Sequence, residues 1–435
     1  MSDFFHSVTL DKDKCKGCIN CIKRCPTEAI RVRDGKADII TERCIDCGEC
    51  IRVCPHHAKK AITDPLSSIE QYAYKIALTA PSLFGQFNNI DDPDLVFSAL
   101  KRIGFDEVFD VSRAAELVSD ATRRLLEAGN LRRPVISSAC PAVLRLIRVR
   151  FPSLINRVLQ LVAPMELSAR MAKDAAVAAG HRREEVGCIF LTPCPAKVTA
   201  MRMPIGSAKS EVDAAVAVKD IYPLMVNAMK QGESAEPPQS GRIGLGWAES
   251  GGEAAGLLST DSYLAADGIE NVISVLEDLE DNKYPHLEFV ELDACPGGCV
   301  GGVLQVENPY IAKTKIKTLR RYMPVSINHL SESIPPEMHW DVDLEYTPVM
   351  ELGKTTQESF EKYAELDEIL KKLPDLDCGS CGAPTCETFA EDVVRGAAAL
   401  GDCVVLMRKK MEAIMSAAGL GEEPKRDSYQ KWRAR

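Results

Sequence analysis

No apolar run in this 435-residue chain reaches the roughly 18 residues that a helix needs to cross a bilayer. A helical membrane span is therefore excluded. The opening stretch, MSDFFHSVTLDKDKCKGC, has neither a positive region followed by an apolar one nor a twin arginine. A cytoplasmic location is expected. Basic clusters are also missing and the formal net charge is -10, which argues against nucleic acid as the main partner. No low-complexity segment occurs, and the only internal repeat is one short duplication near the amino terminus. The length suits about two to four domains with a large buried core.

What the chain does have is cysteine, seventeen in all. In a reducing compartment thiols stay free, and tight cysteine groups then mean metal. Two runs, CKGCINCIKRCP and CIDCGECIRVCP, repeat the spacing C-x2-C-x2-C-x3-C-P. Three thiolates of such a run face one iron-sulfur cube, while the fourth ligates the other. Cys15, Cys18, Cys21 and Cys54 are expected to hold one 4Fe-4S cluster, and Cys44, Cys47, Cys50 and Cys25 a second. Residues 5 to 65 resemble bacterial two-cluster ferredoxins, which implies an α+β electron-carrying module. His56 and His57 are read as exposed loop residues, because the cysteine set is already complete.

From Tyr74 onward the pattern changes. YKIALTAP, DEVFDVS, PVISSAC and VGCIFLTPC read as short apolar strands, with DPDLVFSALKRIG, AAELVSDATRRLLEAG and PMELSARMAKDAAVAAG as helices. The alternation predicts parallel sheet covered by helices, with ligands at the carboxyl ends of strands. Cys140, Cys194, Cys295 and Cys299 all stand there, each in a Pro- or Gly-flanked loop after an apolar strand. A second set of elements contains RIGLGWAESGGEAAG, HLEFVELDACPGGCVGG and a basic helix, NPYIAKTKIKTLRR.

The segments SSACP, LTPCPAK and ELDACPGGCVGG resemble, in order, the three signatures of the FeFe (iron-only) hydrogenases, over about residues 75 to 325. The resemblance implies a two-lobed α/β catalytic domain holding the H-cluster. That cofactor is a 4Fe-4S cube bridged to a two-iron unit with carbonyl, cyanide and azadithiolate ligands. By the same resemblance Cys140, Cys194 and Cys295 bind the cube, Cys299 binds and bridges, and Lys197 pairs with a cyanide. A fixed cation makes physical sense, since a buried uncompensated negative charge is costly. The implied chemistry is heterolytic cleavage or formation of dihydrogen.

Two departures affect proton transfer. The residue before the first ligand is a proton-relaying cysteine in the family, and here it is Ala139. The segment FDVSRAAELVSDATRRL also lacks the family's paired glutamates. Separately, Thr192 replaces a usual methionine, which alters packing around the cluster. A methyl group neither donates nor accepts a proton, so another route is needed. Glu253 and Glu249, in a glycine-rich segment that by resemblance lines the cofactor cavity, are the candidates. Cys188 has no partner group and is read as a small buried strand residue.

Near the carboxyl end, Cys378, Cys381, Cys386 and Cys403 follow C-x2-C-x4-C-x16-C. Zinc would accept four thiolates, but the spacing resembles a small, mainly helical iron-sulfur domain of corrinoid proteins and some regulatory hydrogenases. A third accessory 4Fe-4S cluster is expected. The domain limits read as 1–70 ferredoxin-like, 71–330 catalytic, 331–370 linker or wrap, 371–420 carboxyl-terminal cluster domain, and 421–435 charged tail. Three functions stay open: a slow sensory-type hydrogenase, a metabolic ferredoxin-linked hydrogenase with another proton path, and a hydrogenase-like assembly or electron-transfer protein without the two-iron unit. The expected partners are dihydrogen and protons, ferredoxin or a separate signalling protein, and the hydrogenase maturation enzymes. No membrane partner is expected, and a homodimer remains open.

Overall fold

The computed structural model describes residues 5–88, 93–230, 238–258 and 260–419, so the tail over 421–435 lies outside the described residues. The chain divides into two compact units. One comprises Met1–Lys16, Arg24–Ala29 and Ile39–Met350, the other Gly17–Lys23, Ile30–Asp38 and Glu351–Arg435. These units do not follow the linear limits read from the sequence, because two short pieces of the ferredoxin-like repeat group with the carboxyl-terminal segment.

The larger unit is α/β and holds two parallel sheets. The first has four strands in the spatial order Glu107–Asp110, Tyr74–Thr79, Val186–Thr192, Ala214–Ala217. Parallel strands covered on both faces read as unbroken apolar runs, and all seven residues of Val186–Thr192 are buried. Successive side chains point to opposite faces. Ala77, Val108, Ile189, Leu191 and Val216 pack against the helices Asp94–Ile103 and Val218–Met229. Ile76, Leu78, Phe109, Cys188, Phe190 and Ala215 face the helix Pro164–Ala178.

The second sheet orders Tyr263–Asp267, Phe289–Asp293 and Val135–Ile136. Val290 and Leu292 pack with the helices Pro141–Arg150 and Ile269–Glu280. Phe289 turns the other way, toward the helices Val111–Ala128 and Gly252–Gly256. The long helix Val111–Ala128 starts where Asp110 accepts from the Ser112 amide at 2.9 Å, an ordinary N-cap. The same unit carries the short antiparallel pair Val8–Leu10 with Lys59–Ala61.

The segment expected as linker splits in two. Met338 and Leu344 are buried in the larger unit, whereas Thr356–Leu370 forms a helix of the smaller unit, capped by Thr355. The polarity of that stretch hid a helix whose buried residues are only Leu366 and Ile369, with Leu370 packing beside them. In the smaller unit Arg31 meets Asp392 through two bonds, at 2.7 and 3.0 Å, and Arg33 adds a third at 2.7 Å. Arg31 and Asp392 are buried, so neither charge would be tolerated without the other.

Candidate cofactor site

Four cysteines converge where strands of both sheets end. Cys140 follows Val135–Ile136, Cys194 follows Val186–Thr192, and Cys295 follows Phe289–Asp293. Cys140 and Cys194 each precede a helix whose first residue is proline, Pro141 and Pro195. Proline there costs nothing, because its missing N–H would have no partner anyway. The Thr192 hydroxyl donates to the Cys194 carbonyl at 3.0 Å and so pins the turn that carries Cys194. Cys299 opens a tight turn that only glycine allows: at Gly298 (φ +90°) a Cβ would lie 2.4 Å from the Ser250 nitrogen, and at Gly301 1.9 Å from the Pro296 oxygen.

The four thiols act on one another electrostatically, Cys295 with Cys194, Cys140 and Cys299. Burial pushes all of them up, Cys140 to about 11. Left alone they would stay protonated, so a cationic iron core is what makes four thiolates tolerable there. The donor set therefore fits an iron-sulfur cube. Lys197 stands beside them, its ammonium donating to the Ala139 carbonyl at 3.3 Å. Burial works against that charge, but Cys299, Cys194, Cys140 and Asp293 outweigh it and hold Lys197 above its ordinary pKa.

Next to Cys299 and Lys197 lies a cavity of about 580 Å³, walled also by Ala139, Glu253, Glu291 and Asp293. Ala139 and Lys197 also face a second space of about 460 Å³. Ala139 thus presents a methyl group to the cavity. Glu253 is 4 % exposed. Its carboxyl accepts from the Ser137 hydroxyl at 2.6 Å, and that hydroxyl accepts from the Ala139 amide at 3.1 Å. Burial pushes Glu253 up to about 8 and Asp293 up to about 6. Glu291 is held well above the usual range by burial and by its two acidic neighbours, although it accepts from the Gly251 and Ala254 amides, both at 2.8 Å. Asp293 is paired in register with Asp267, a half-buried strand-end residue.

Glu249 goes elsewhere. It is buried, but one oxygen takes the Arg320 guanidinium at 2.8 Å and the residue is not part of the cavity wall. Glu116, in the helix that lacks paired glutamates, serves as a fastener: its carboxylate accepts from the amides of Gly241, Ile327 and Asn328. Sequence reading missed Ser137, Glu291 and Asp293. The signal was there, because Glu291 and Asp293 alternate along one strand and so share a face just before Cys295.

In the ferredoxin-like part of the larger unit, Cys44 and Cys47 both feel Cys25, and Cys47 feels Cys50. Cys47 packs into the same apolar cluster as Cys140 and Cys194. Asp46, between two of those ligands, accepts from the Val8 amide and from Thr199, both at 2.9 Å. It also meets Arg145 at 3.3 Å. The sequence had not marked it. His56 and His57 are exposed, and Cys188 is fully buried with burial pushing it up to about 12. In the smaller unit Cys378, Cys381, Cys386 and Cys403 line one small cavity of about 300 Å³.

Comparison with known families places these features. The model described as iron only hydrogenase large subunit, C-terminal domain, matches residues 73–260 and 247–303. The chain belongs to the iron-only hydrogenase family. A 4Fe-4S dicluster model matches residues 7–55, and an Fe-S cluster model matches residues 373–405. This hydrogenase-family chain is 23 % identical to iron hydrogenase 1 of Clostridium pasteurianum, over 72 % of this chain and 68 % of that one. It is 25 % identical to the periplasmic Fe hydrogenase large subunit of Nitratidesulfovibrio vulgaris, over 73 % and 91 %. A 51-residue stretch is 43 % identical to the corrinoid/iron-sulfur protein large subunit of Moorella thermoacetica, covering 12 % of this chain and 11 % of that one. Among solved structures, FeFe-hydrogenase HydA1 of Chlamydomonas reinhardtii aligns at 18 % identity with a TM-score of 0.47, over 60 % of this chain and 86 % of that one. The family's cofactors, 4Fe-4S clusters and the H-cluster, accord with the thiol sets described. Among the described residues no helix is long and apolar enough to cross a membrane.

Proposed function

We propose that this iron-only hydrogenase is of the sensory type: it reacts with dihydrogen slowly, and the redox state of its clusters is the output. The observation that carries this reading is Ala139, whose methyl stands at the cavity wall where the family's relay needs a thiol. Cys140, Cys194, Cys295 and Cys299 would hold the cube, and Cys299 would bridge to the two-iron unit. When bound, that unit would supply the heterolytic cleavage and formation of dihydrogen. Lys197 supplies the fixed positive charge that such an anionic group requires in a water-poor pocket.

Protons would leave the cavity by Glu253. Its carboxyl, poised near 8, exchanges protons at neutral pH far more readily than an ordinary glutamate, and Ser137, Asp293 and Asp267 continue the polar line. The same arrangement also favours a second reading, a metabolic hydrogenase with an alternative proton route. Electrons would pass through the cluster of Cys25, Cys44, Cys47 and Cys50, since Cys47 shares an apolar cluster with Cys140 and Cys194. The sets Cys15, Cys18, Cys21, Cys54 and Cys378, Cys381, Cys386, Cys403 would bring the accessory 4Fe-4S clusters to three. Ferredoxin or a separate signalling protein would receive the electrons.

Infrared spectroscopy on protein matured anaerobically with the hydrogenase maturation enzymes tests this. Carbonyl and cyanide bands that shift under dihydrogen are expected, with turnover rising at least tenfold in Ala139→Cys. Fast wild-type turnover that Ala139→Cys leaves unchanged would select the metabolic reading. Loaded 4Fe-4S clusters without such bands would leave an assembly or electron-transfer protein.

A further inference from the structure

The two halves of the ferredoxin-like repeat end alike, CPTEAI and CPHHAK, so Ile30 and Lys59 hold equivalent positions, each five residues after the last cysteine of its run. The local geometry matches too. The Ala29 amide donates to the Cys25 sulfur at 3.2 Å, and the Ala58 amide donates to the Cys54 sulfur at 3.3 Å. Ile30 is 2 % exposed, as an apolar core residue should be, yet Lys59 is 3 % exposed. Its ammonium is enclosed and has no hydrogen-bond or ion-pair partner among the described residues. Burying an isolated ammonium is expensive, and a protein keeps one only against a compensating negative charge. Close by are the Cys54 sulfur, which feels the Lys59 charge, and the His6 ring, whose Nδ1 has no hydrogen-bond partner among the described residues and lies 3.8 Å from Asp46, a carboxylate already paired with Arg145. Neither of these, in an ordinary thiol and a neutral imidazole, supplies that charge.

We propose that the Lys59 ammonium is the fixed counter-charge of the 4Fe-4S cluster ligated through Cys54, and that it raises the reduction potential of that cluster. The inference rests on the cluster assignment given above. A cube held by four thiolates is a dianion that becomes a trianion on accepting one electron. A nearby buried cation therefore stabilises the reduced form more than the oxidised one. The other half of the duplication carries Ile30 at the equivalent position, and the buried Arg145 that Cys44 feels is already paired with Asp46 at 3.3 Å, so the two halves of one module would hold electrons with different avidity. Electrons would then settle preferentially on the cluster at Cys54.

The test is a redox titration, followed by electron paramagnetic resonance, of the full chain with its clusters reconstituted anaerobically. Wild type is compared with Lys59→Met and Lys59→Arg, each checked first for iron and sulfide content. In Lys59→Met one accessory cluster is expected to lose at least tenfold in its reduced-to-oxidised ratio at fixed potential, a fall of about 59 mV for one electron. Lys59→Arg should stay near wild type and the other clusters should not move. A fully loaded Lys59→Met protein with unchanged or higher midpoints overturns the proposal, as does a Lys59→Arg midpoint that falls as far as that of Lys59→Met. Should Lys59→Met fail to load, Lys59→Gln carries the same expectation and the same refutation. Wild-type protein that takes up no cluster at the ferredoxin-like motif would instead overturn the assignment beneath it.

Discussion

Cys140, Cys194, Cys295 and Cys299 come from the ends of three strands in two different sheets, whereas Cys378, Cys381, Cys386 and Cys403 come from one short stretch around a single helix. The second set lines one cavity with all four thiols, whereas of the first set only Cys299 reaches the cavity wall. Their surroundings differ, because the catalytic cavity adds an ammonium and three carboxyls while the other is closed by Leu373, Phe389 and Val404 beside Asp377. A site that moves protons as well as electrons needs titratable groups from several elements. A site that moves electrons alone needs only ligands and a dry wall, which local structure can provide.

The largest effect should come from Cys299→Ser, which removes the thiolate proposed to bridge to the two-iron unit. Hydrogen-responsive infrared bands are expected to vanish, while the electron paramagnetic resonance signals of the accessory clusters persist. Persistent bands would mean that Cys299 is not the bridge. Asp392→Ala should come next. It removes the carboxylate that Arg31 and Arg33 share, at a cost of about 3–5 kcal/mol, read as a drop in the denaturation midpoint of the smaller unit.

The pH dependence sharpens the same contrast. Glu253 has a pKa in the folded chain raised to about 8 from an ordinary 4.5. Its contribution favours the fold below the unfolded value and is lost as pH rises through the folded one. Cluster-free protein should therefore lose on the order of a few kcal/mol of stability between about pH 5 and 8. Glu253→Gln should flatten that slope in urea unfolding, and an unchanged slope would assign it to other groups. Cys188→Ala is the smallest change, costing about 1 kcal/mol through one lost buried sulfur and leaving iron content untouched.

Local patterning was enough for much of the fold. The apolar runs at Tyr74–Thr79 and Val186–Thr192 could only be buried parallel strands once helices alternated with them, and the duplicated cysteine spacing marked the dicluster module at once. The helix Thr356–Leu370 was not legible, because its few buried residues are swamped by charge. Nor was the destination of Glu249, since Glu249 and Glu253 lie only four residues apart, on either side of the turn at Gly251, and only packing sends one to Arg320 and the other to the cavity.

The residue types and spacings by themselves determined which thiols are grouped for iron, that alanine and not cysteine stands at 139, and that the two ferredoxin halves are unequal at Ile30 and Lys59. Those are covalent facts, written one position at a time. Only the tertiary structure decided that Glu253 meets Ser137, that Glu291 and Asp293 gather beside Cys299, and that the Lys59 ammonium is sealed away without a partner among the described residues. Burial and proximity set the charge state of an acid or an amine, and both belong to the folded chain alone.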